Sequence, residues 1–326
     1  MADGAVCTAL TVLLLIMTLY VPAFAMLAVM VAGLPMTFLT VRDGLKATAV
    51  AAVASVLVMG IVAGDFLSAL MLGTVNLLPG VAIGYAIRRR KGFKETVAVS
   101  GGAVLLGLLL QMLIINAGSG GNGIVAMIDS AIEGSKQMLS DIMNQFGMAE
   151  QEAMRSAAEK MTQSLTLVRE LLLLYLPSML IGISAALGYG AVAFAIFMLR
   201  RVQKLKIPYL PFSQMHAPRA ICYLSMLLAV IGLLSQDVTV YTAAWKNLAL
   251  LTDCFIGVCG LALIDDKLSQ KVSSGYARTG IYAAVLMVGY LAIGLIAEIL
   301  VFLGMLDGLF HFRRFHKVGE GHGENK

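Results

Sequence analysis

The 326 residues are 59% hydrophobic and only 13% charged, with a mean hydropathy of +0.87. That balance lies well outside the range of water-soluble globular domains and demands several membrane spans. The net charge of +5 does not signal nucleic acid, because Lys and Arg sit in short clusters at the ends of apolar runs, where membrane topology accounts for them. Cys7, Cys222, Cys254 and Cys259 lie within or beside apolar runs without CxxC spacing or His partners, so neither a zinc site nor a disulfide framework is indicated.

From Ala5 to Val41 the sequence is apolar for too long to be one ordinary span. Pro22 disfavours a helical residue before it, which predicts two short helices over about 5–21 and 23–41. Ala23-Phe24-Ala25 mimics a signal-peptidase site, yet the preceding segment has Asp3 and no Lys or Arg, and the apolar sequence continues. The segment is therefore expected to stay as a membrane helix. Arg42, Asp43, Gly44 and Lys46 form a charged turn, followed by a third span over 47–63 and a second turn at Gly64-Asp65. A fourth span, about 66–87, ends in Arg88, Arg89, Arg90 and Lys91, and a fifth covers about 97–116.

The 117–169 segment is the least membrane-like. After the glycine-rich run Gly118 to Gly123, apolar positions recur at Ile128, Ile132, Leu139, Ile142 and Phe146, with Ser135 in the one polar slot. Gly147 breaks the pattern, which restarts as Met154, Ala158, Met161, Leu165, Val168 and Leu172. Two helices with narrow matching stripes and a glycine between them predict an antiparallel hairpin outside the membrane, closed on itself or serving as a lid or partner contact.

The second helix runs straight into a charge-free stretch, Leu171 to Leu199, which exceeds the need of a hydrocarbon core roughly 30 Å thick. It leaves into Arg200, Arg201, Lys204 and Lys206, marking that end as cytoplasmic. A linker with Pro208, Pro211 and Pro218 follows, then spans over about 220–235 and 242–264 and a last apolar run over 279–306. With the Arg42 turn inside, every basic cluster up to Arg219 falls inside, and the N-terminus is assigned to the cytoplasm. Nine simple spans leave Arg313, Arg314 and Lys317 outside, against the rule, unless the last run is broken or re-entrant. The expected fold is therefore all-α: a polytopic transmembrane bundle of about 8–9 spans with an extracytoplasmic helical hairpin. Its expected divisions are a six-helix unit over 1–204, a cytoplasmic linker over 205–219, membrane helices over 220–312 and a polar tail over 313–326.

Leu34–Ala47 (LPMTFLTVRDGLKA), the LYLPSMLIGISAALGYGAVAF span with its LRRVQKLKIPYLPFSQMHAPR continuation, and the closing FLGMLDGLFHFRR (Phe302–Arg314) together resemble the YybS-like family of uncharacterised bacterial integral membrane proteins. The first six spans are also similar to the substrate-binding S components of energy-coupling-factor vitamin transporters. That resemblance implies a six-helix bundle with an outward-facing cavity beneath loops, in a bacterial cytoplasmic (inner) membrane. S components dock on a coupling subunit through small residues of their first helix, and here Ala5 and Ala9 share one face.

Ionisable groups inside a span cost roughly 2.5–3.5 kcal/mol on insertion scales, so each one calls for a role. Asp253 lies mid-span and Glu298 lies deep in the last run; facing each other, they would share a proton or a cation, and apart, each would bond a Ser, Thr or backbone group. Asn76 and Gln111 either glue helices or line a polar ligand cavity. Asp65, at an outer turn, is expected to be hydrated or to touch a ligand. The sequence lacks HExxH, GxSxG and GxxxxGK[ST], and the spacing of His311, His316 and His322 fits no helical metal face. These features predict a non-enzyme without cofactor or metal, surrounded by lipid bilayer. It would bind a small molecule or lipid, in transport or, alternatively, as a scaffold for coupling or envelope membrane proteins.

Overall fold

The computed structural model describes residues 2–21, 28–145, 152–202, 204–205, 207, 209–234, 240–272 and 293–310. Among these the protein is all-helical. In chain order the α-helices are α1 (Ala2–Tyr20), α2 (Leu34–Arg42), α3 (Leu45–Ala63), α4 (Phe66–Arg88), α5 (Phe93–Gly118), α6 (Gly123–Gln145), α7 (Glu152–Val202), α8 (Arg219–Leu234), α9 (Val240–Lys271) and α10 (Ile293–Phe310). The chain divides into two compact units, residues 1–209 and 210–326.

Among the described residues five helices are long and apolar enough to cross a membrane: α3, α4, α5, α7 and α9. Of the two N-terminal spans, α1 agrees with the expectation. The second is shorter, because a turn at Ala32-Gly33 separates residues 28–31 from α2. Pro22 lies outside the described residues, as do Phe146 and Gly147 of the expected hairpin loop, residues 279–292 of the last run, and the tail with His311, Arg313, Arg314, His316, Lys317 and His322. Helix α9 runs two turns beyond the expected end at 264 and carries Asp265, Asp266 and Lys267 within it.

The surface is as apolar as the interior: Val50, Ile61 and Leu113 in the first unit and Leu233 in the second are exposed, while Thr37, Thr40, Thr48, Ser55 and Ser100 are buried alongside an apolar core that includes Leu15, Met36 and Met59. Water would reject that arrangement, whereas lipid tails cover apolar surface freely and leave small and hydroxylated residues to bring helices together. Helices α2 and α4 show how. A side-chain carbon added at Gly80 would lie 2.1 Å from the Gly33 carbonyl oxygen, and one at Gly84 would lie 2.5 Å from Cβ of Thr40. At that separation the Thr37 hydroxyl donates to the Gly80 carbonyl at 2.9 Å, and the Thr40 hydroxyl reaches that of Thr48 on α3 at 3.0 Å. Helices α5 and α7 meet in the same way at Gly101 and Gly188.

One end of this first unit gathers a cluster of cations. Arg88, in the last turn of α4, donates to the Thr40 and Arg42 carbonyls at the end of α2, and Gly44 (φ +91°) wraps around its guanidinium. At the opposite end of α4, Asp65 caps the helix by accepting from the Leu67 and Ser68 amides. Its carboxylate is therefore committed to the backbone rather than merely hydrated. The glycine-rich run after α5 is likewise a built turn: the Asn116 side chain accepts from the Ile124 amide at 3.1 Å and its carbonyl accepts from Gly121 at 2.8 Å.

Helix α6 runs antiparallel to the first part of α7. Asp129 pairs with Arg169, and Ser140, Met143 and Asn144 lie opposite Ala158, Thr162 and Gln163. The seam is more polar than the heptad pattern predicts. Ile132 is buried as expected, but Met161 is 55% exposed and Val168 also faces outward, while Thr162 and Arg169 take the inner positions. The Asp129–Arg169 pair accounts for this rotation, since a two-point bond between carboxylate and guanidinium fixes which faces meet. The Arg169 hydrogen bond holds the Asp129 carboxyl below its ordinary value. A lowered carboxylate pKa contributes stability above the unfolded value of about 3.9 and loses it as pH falls through the lower folded value. Spin labels at residues 133 and 166, one on each helix, should therefore keep a narrow distance distribution at neutral pH and broaden below about pH 3.9. Arg169→Gln should show the broad form already at pH 7. An Arg169→Gln distribution as narrow as the wild type's at pH 7 would mean that the pair does not hold these helices together.

Candidate functional site

A hollow of about 350 Å³ opens where α5, α6 and α7 meet. Its walls are apolar, with Leu108, Met112, Ile115, Ile124, Leu176 and Met179 among them, and Gln111 contributes an amide. The sequence places these residues there through two constraints. The Asn116 turn returns α6 to the end of α5, where Ile115 and Gly123 are in close contact. The unbroken run of α7 then presents Leu172, Leu176, Met179 and Ile183 along one face at helical spacing. Methionine thioethers bend to suit irregular guests, so the walls can adapt.

Asn76 is not part of this hollow. It is 3% exposed on α4, its Nδ2 donates to the Leu72 carbonyl of its own helix, and its own carbonyl oxygen lies against Gly33. Its Oδ1 has no hydrogen-bond partner. The two amides that sequence alone could pair as cavity lining are thus separated, Gln111 into the hollow and Asn76 into the α2–α4 contact.

The two acidic residues of the second unit also part. Asp253 on α9 accepts a hydrogen bond from the Ser225 hydroxyl on α8 at 2.7 Å, whereas Glu298 is exposed on α10. Helices α9 and α10 cross at Gly260 against Leu300 and Gly304 against Ile256. That antiparallel register puts Glu298 level with Ala262, roughly 13 Å along α9 from Asp253 at about 1.5 Å per residue. The residue level with Asp253 is Asp307, which is 3% exposed. Its signal in the sequence is its spacing of three from Gly304, which sets it on the face that meets α9. Ala5 and Ala9 both stand on an exposed face of α1. Among the described residues no group of three or more His, Cys, Asp or Glu gathers closely enough to hold a metal ion.

Long apolar helices, a lipid-compatible surface, glycine-mediated contacts and cations gathered at one end define a polytopic α-helical membrane protein. The chain belongs to the family described as predicted membrane protein (DUF2232), whose model matches residues 9–308. No curated protein and no solved structure matches it.

Proposed function

We propose that this protein binds a small apolar or amphipathic molecule in the α5–α6–α7 hollow, as a non-enzymatic component of membrane transport in a bacterial cytoplasmic membrane. The observation that carries this is the hollow itself: about 350 Å³, within the usual range for small-molecule sites, with apolar walls and the Gln111 amide to orient a guest. On this reading the chain makes about nine crossings with its N-terminus inside, the α6–α7 hairpin stands on the outer side, and the hollow lies beneath it. The S-component resemblance fits such a placement, and the exposed Ala5–Ala9 face would meet a coupling subunit. Asp253 and Glu298, apart along the α9–α10 pair, would then couple transport to an ion separately rather than as a shared site.

Trapping the guest tests the proposal. Wild-type protein extracted from native membranes into nanodiscs should carry a stoichiometric small molecule or lipid visible by mass spectrometry. Met112→Trp, which fills the hollow, should lose it with little change in thermal stability, and Gln111→Leu should weaken it by about tenfold, the equivalent of one hydrogen bond near 1.4 kcal/mol. An empty wild-type hollow would sink the proposal. It would favour a second reading, a scaffold that recruits envelope proteins through the hairpin, which the outward-facing Met138, Met161 and Val168 support.

A further inference from the structure

The cationic end of the first unit contains a second hollow that the proposed ligand site does not use. Phe93, at the start of α5, packs edge-on against Tyr189 of α7 (ring centroids 5.9 Å apart) and against Tyr209 of the segment after α7 (5.2 Å). The Arg200 guanidinium lies over the Tyr209 ring, 5.7 Å from its centroid, and donates through Nε (3.2 Å) and Nη2 to the Ile207 carbonyl. These contacts fold residues 207 and 209 back across the end of α7. Between them and the helix lies a space of about 420 Å³, floored by Ala193, Ile196 and Phe197 and rimmed by Arg200, Arg201 and Tyr209.

The chemistry of the hollow is graded along the helix axis. Phe197 is 51% exposed at the last apolar turn, and the arginines follow one turn later, about 5 Å further on. Arg201 makes no hydrogen bond or ion pair among the described residues, and Arg200 has three guanidinium N–H groups left after serving Ile207. The neighbouring α4–α5 turn adds Arg90, Lys91 and Lys94 beside Phe93, against the single acid Glu95. An apolar floor that ends at one unspent guanidinium and one with donors to spare, at the depth where hydrocarbon gives way to headgroups, complements one kind of molecule.

We infer that this hollow is a specific site for an anionic phospholipid. An acyl chain lies along Ala193, Ile196 and Phe197, and the headgroup phosphate is held by Arg201 and the remaining donors of Arg200 in the forked geometry that guanidinium offers phosphate. Free phosphate would satisfy the arginines but leave the apolar floor uncovered, so a lipid is the better occupant. The site is independent of the α5–α6–α7 hollow and would exist whether or not that hollow binds a guest.

Native mass spectrometry of the full-length protein tests this, with phosphatidylglycerol and phosphatidylcholine of identical acyl chains as probes. The wild type should retain one phosphatidylglycerol at concentrations where phosphatidylcholine is lost. Arg201→Gln, an exposed change that leaves the Arg200–Ile207 contact intact, should reduce that retention at least fivefold. Lys136→Gln, a half-buried position on α6 that does not line this hollow, should leave it unchanged. Three outcomes would overturn the site: equal retention of the two lipids, retention indifferent to Arg201→Gln, or displacement of the lipid by inorganic phosphate alone, which would mark a simple anion site.

Discussion

Gly304→Val should unfold the second unit's helix pair, lowering the thermal midpoint of the detergent-purified protein by roughly 10 °C. Helices α9 and α10 approach so closely that a side-chain carbon at Gly304 would lie 2.0 Å from the Ile256 carbonyl oxygen, and one at Gly260 the same distance from that of Leu300. The obstacle in each case is backbone, which cannot swing aside as a flexible side chain would, so the helices must separate. Separation opens the contact along its length and exposes Asp307 and the Ile256 and Cys259 core to lipid. Overpacking of this kind costs at the upper end of about 1–3 kcal/mol. Gly102→Ala supplies the contrast, because nothing lies within 4 Å of a carbon added there. It should be neutral or up to about 1 kcal/mol more stable, from better helix propensity. If Gly304→Val melts with the wild type, the close crossing is not how α9 and α10 pack.

Cysteines at residues 140 and 205, in a background lacking the four native cysteines, should be labelled by a membrane-impermeant reagent from opposite sides of the membrane. Residue 140 lies opposite Ala158 to Gln163 near the start of α7, and residue 205 lies just beyond its end. Helix α7 is a single element of 51 residues, roughly 75 Å long at about 1.5 Å per residue. That is more than twice a hydrocarbon core of about 30 Å. Its charge-free part, Leu171 to Leu199, is the only stretch of it that lipid can accept, so the two ends are held apart by the bilayer itself. Labelling of both cysteines from one side would mean that α7 does not cross, and would remove the basis for placing the hairpin and the cations on opposite faces.

Much of the first unit was legible because charge in hydrocarbon is penalised residue by residue. The turns at Arg42 to Gly44, at Gly64-Asp65 and after Arg88 stand within a few residues of where the apolar runs stop. Small shifts, such as α5 beginning at Phe93 rather than about 97, arise because helices continue into the headgroup region, where polar residues carry no penalty. The hairpin seam was less legible. Heptad spacing chose Met161 and Val168, but the Asp129–Arg169 ion pair sits between the helices and those residues face outward. The candidate site was divided in the same way. Gln111 does line a hollow, yet nothing in its local sequence separates it from Asn76, which is buried against Gly33. The arginines at the end of α7 read in sequence only as a topology signal; Arg200 lies over Tyr209, and that ring packs in turn on Phe93, from a helix more than a hundred residues earlier.

What this sequence determined by itself is the solvent it needs, the approximate ends of most helices of the first unit and the clustering of basic residues at those ends, because transfer free energy depends on each residue and its immediate neighbours. What the tertiary structure decided is which polar groups meet: Ser225 with Asp253 rather than Glu298, Thr37 with the Gly80 carbonyl, Gln111 with a cavity rather than a helix. A helix such as α3 has only Thr48 and Ser55 to mark its buried side, too little polar contrast to say which face is lipid and which is protein. That choice falls to the glycines, whose missing side chains set where two backbones can touch and so which residues stand opposite one another.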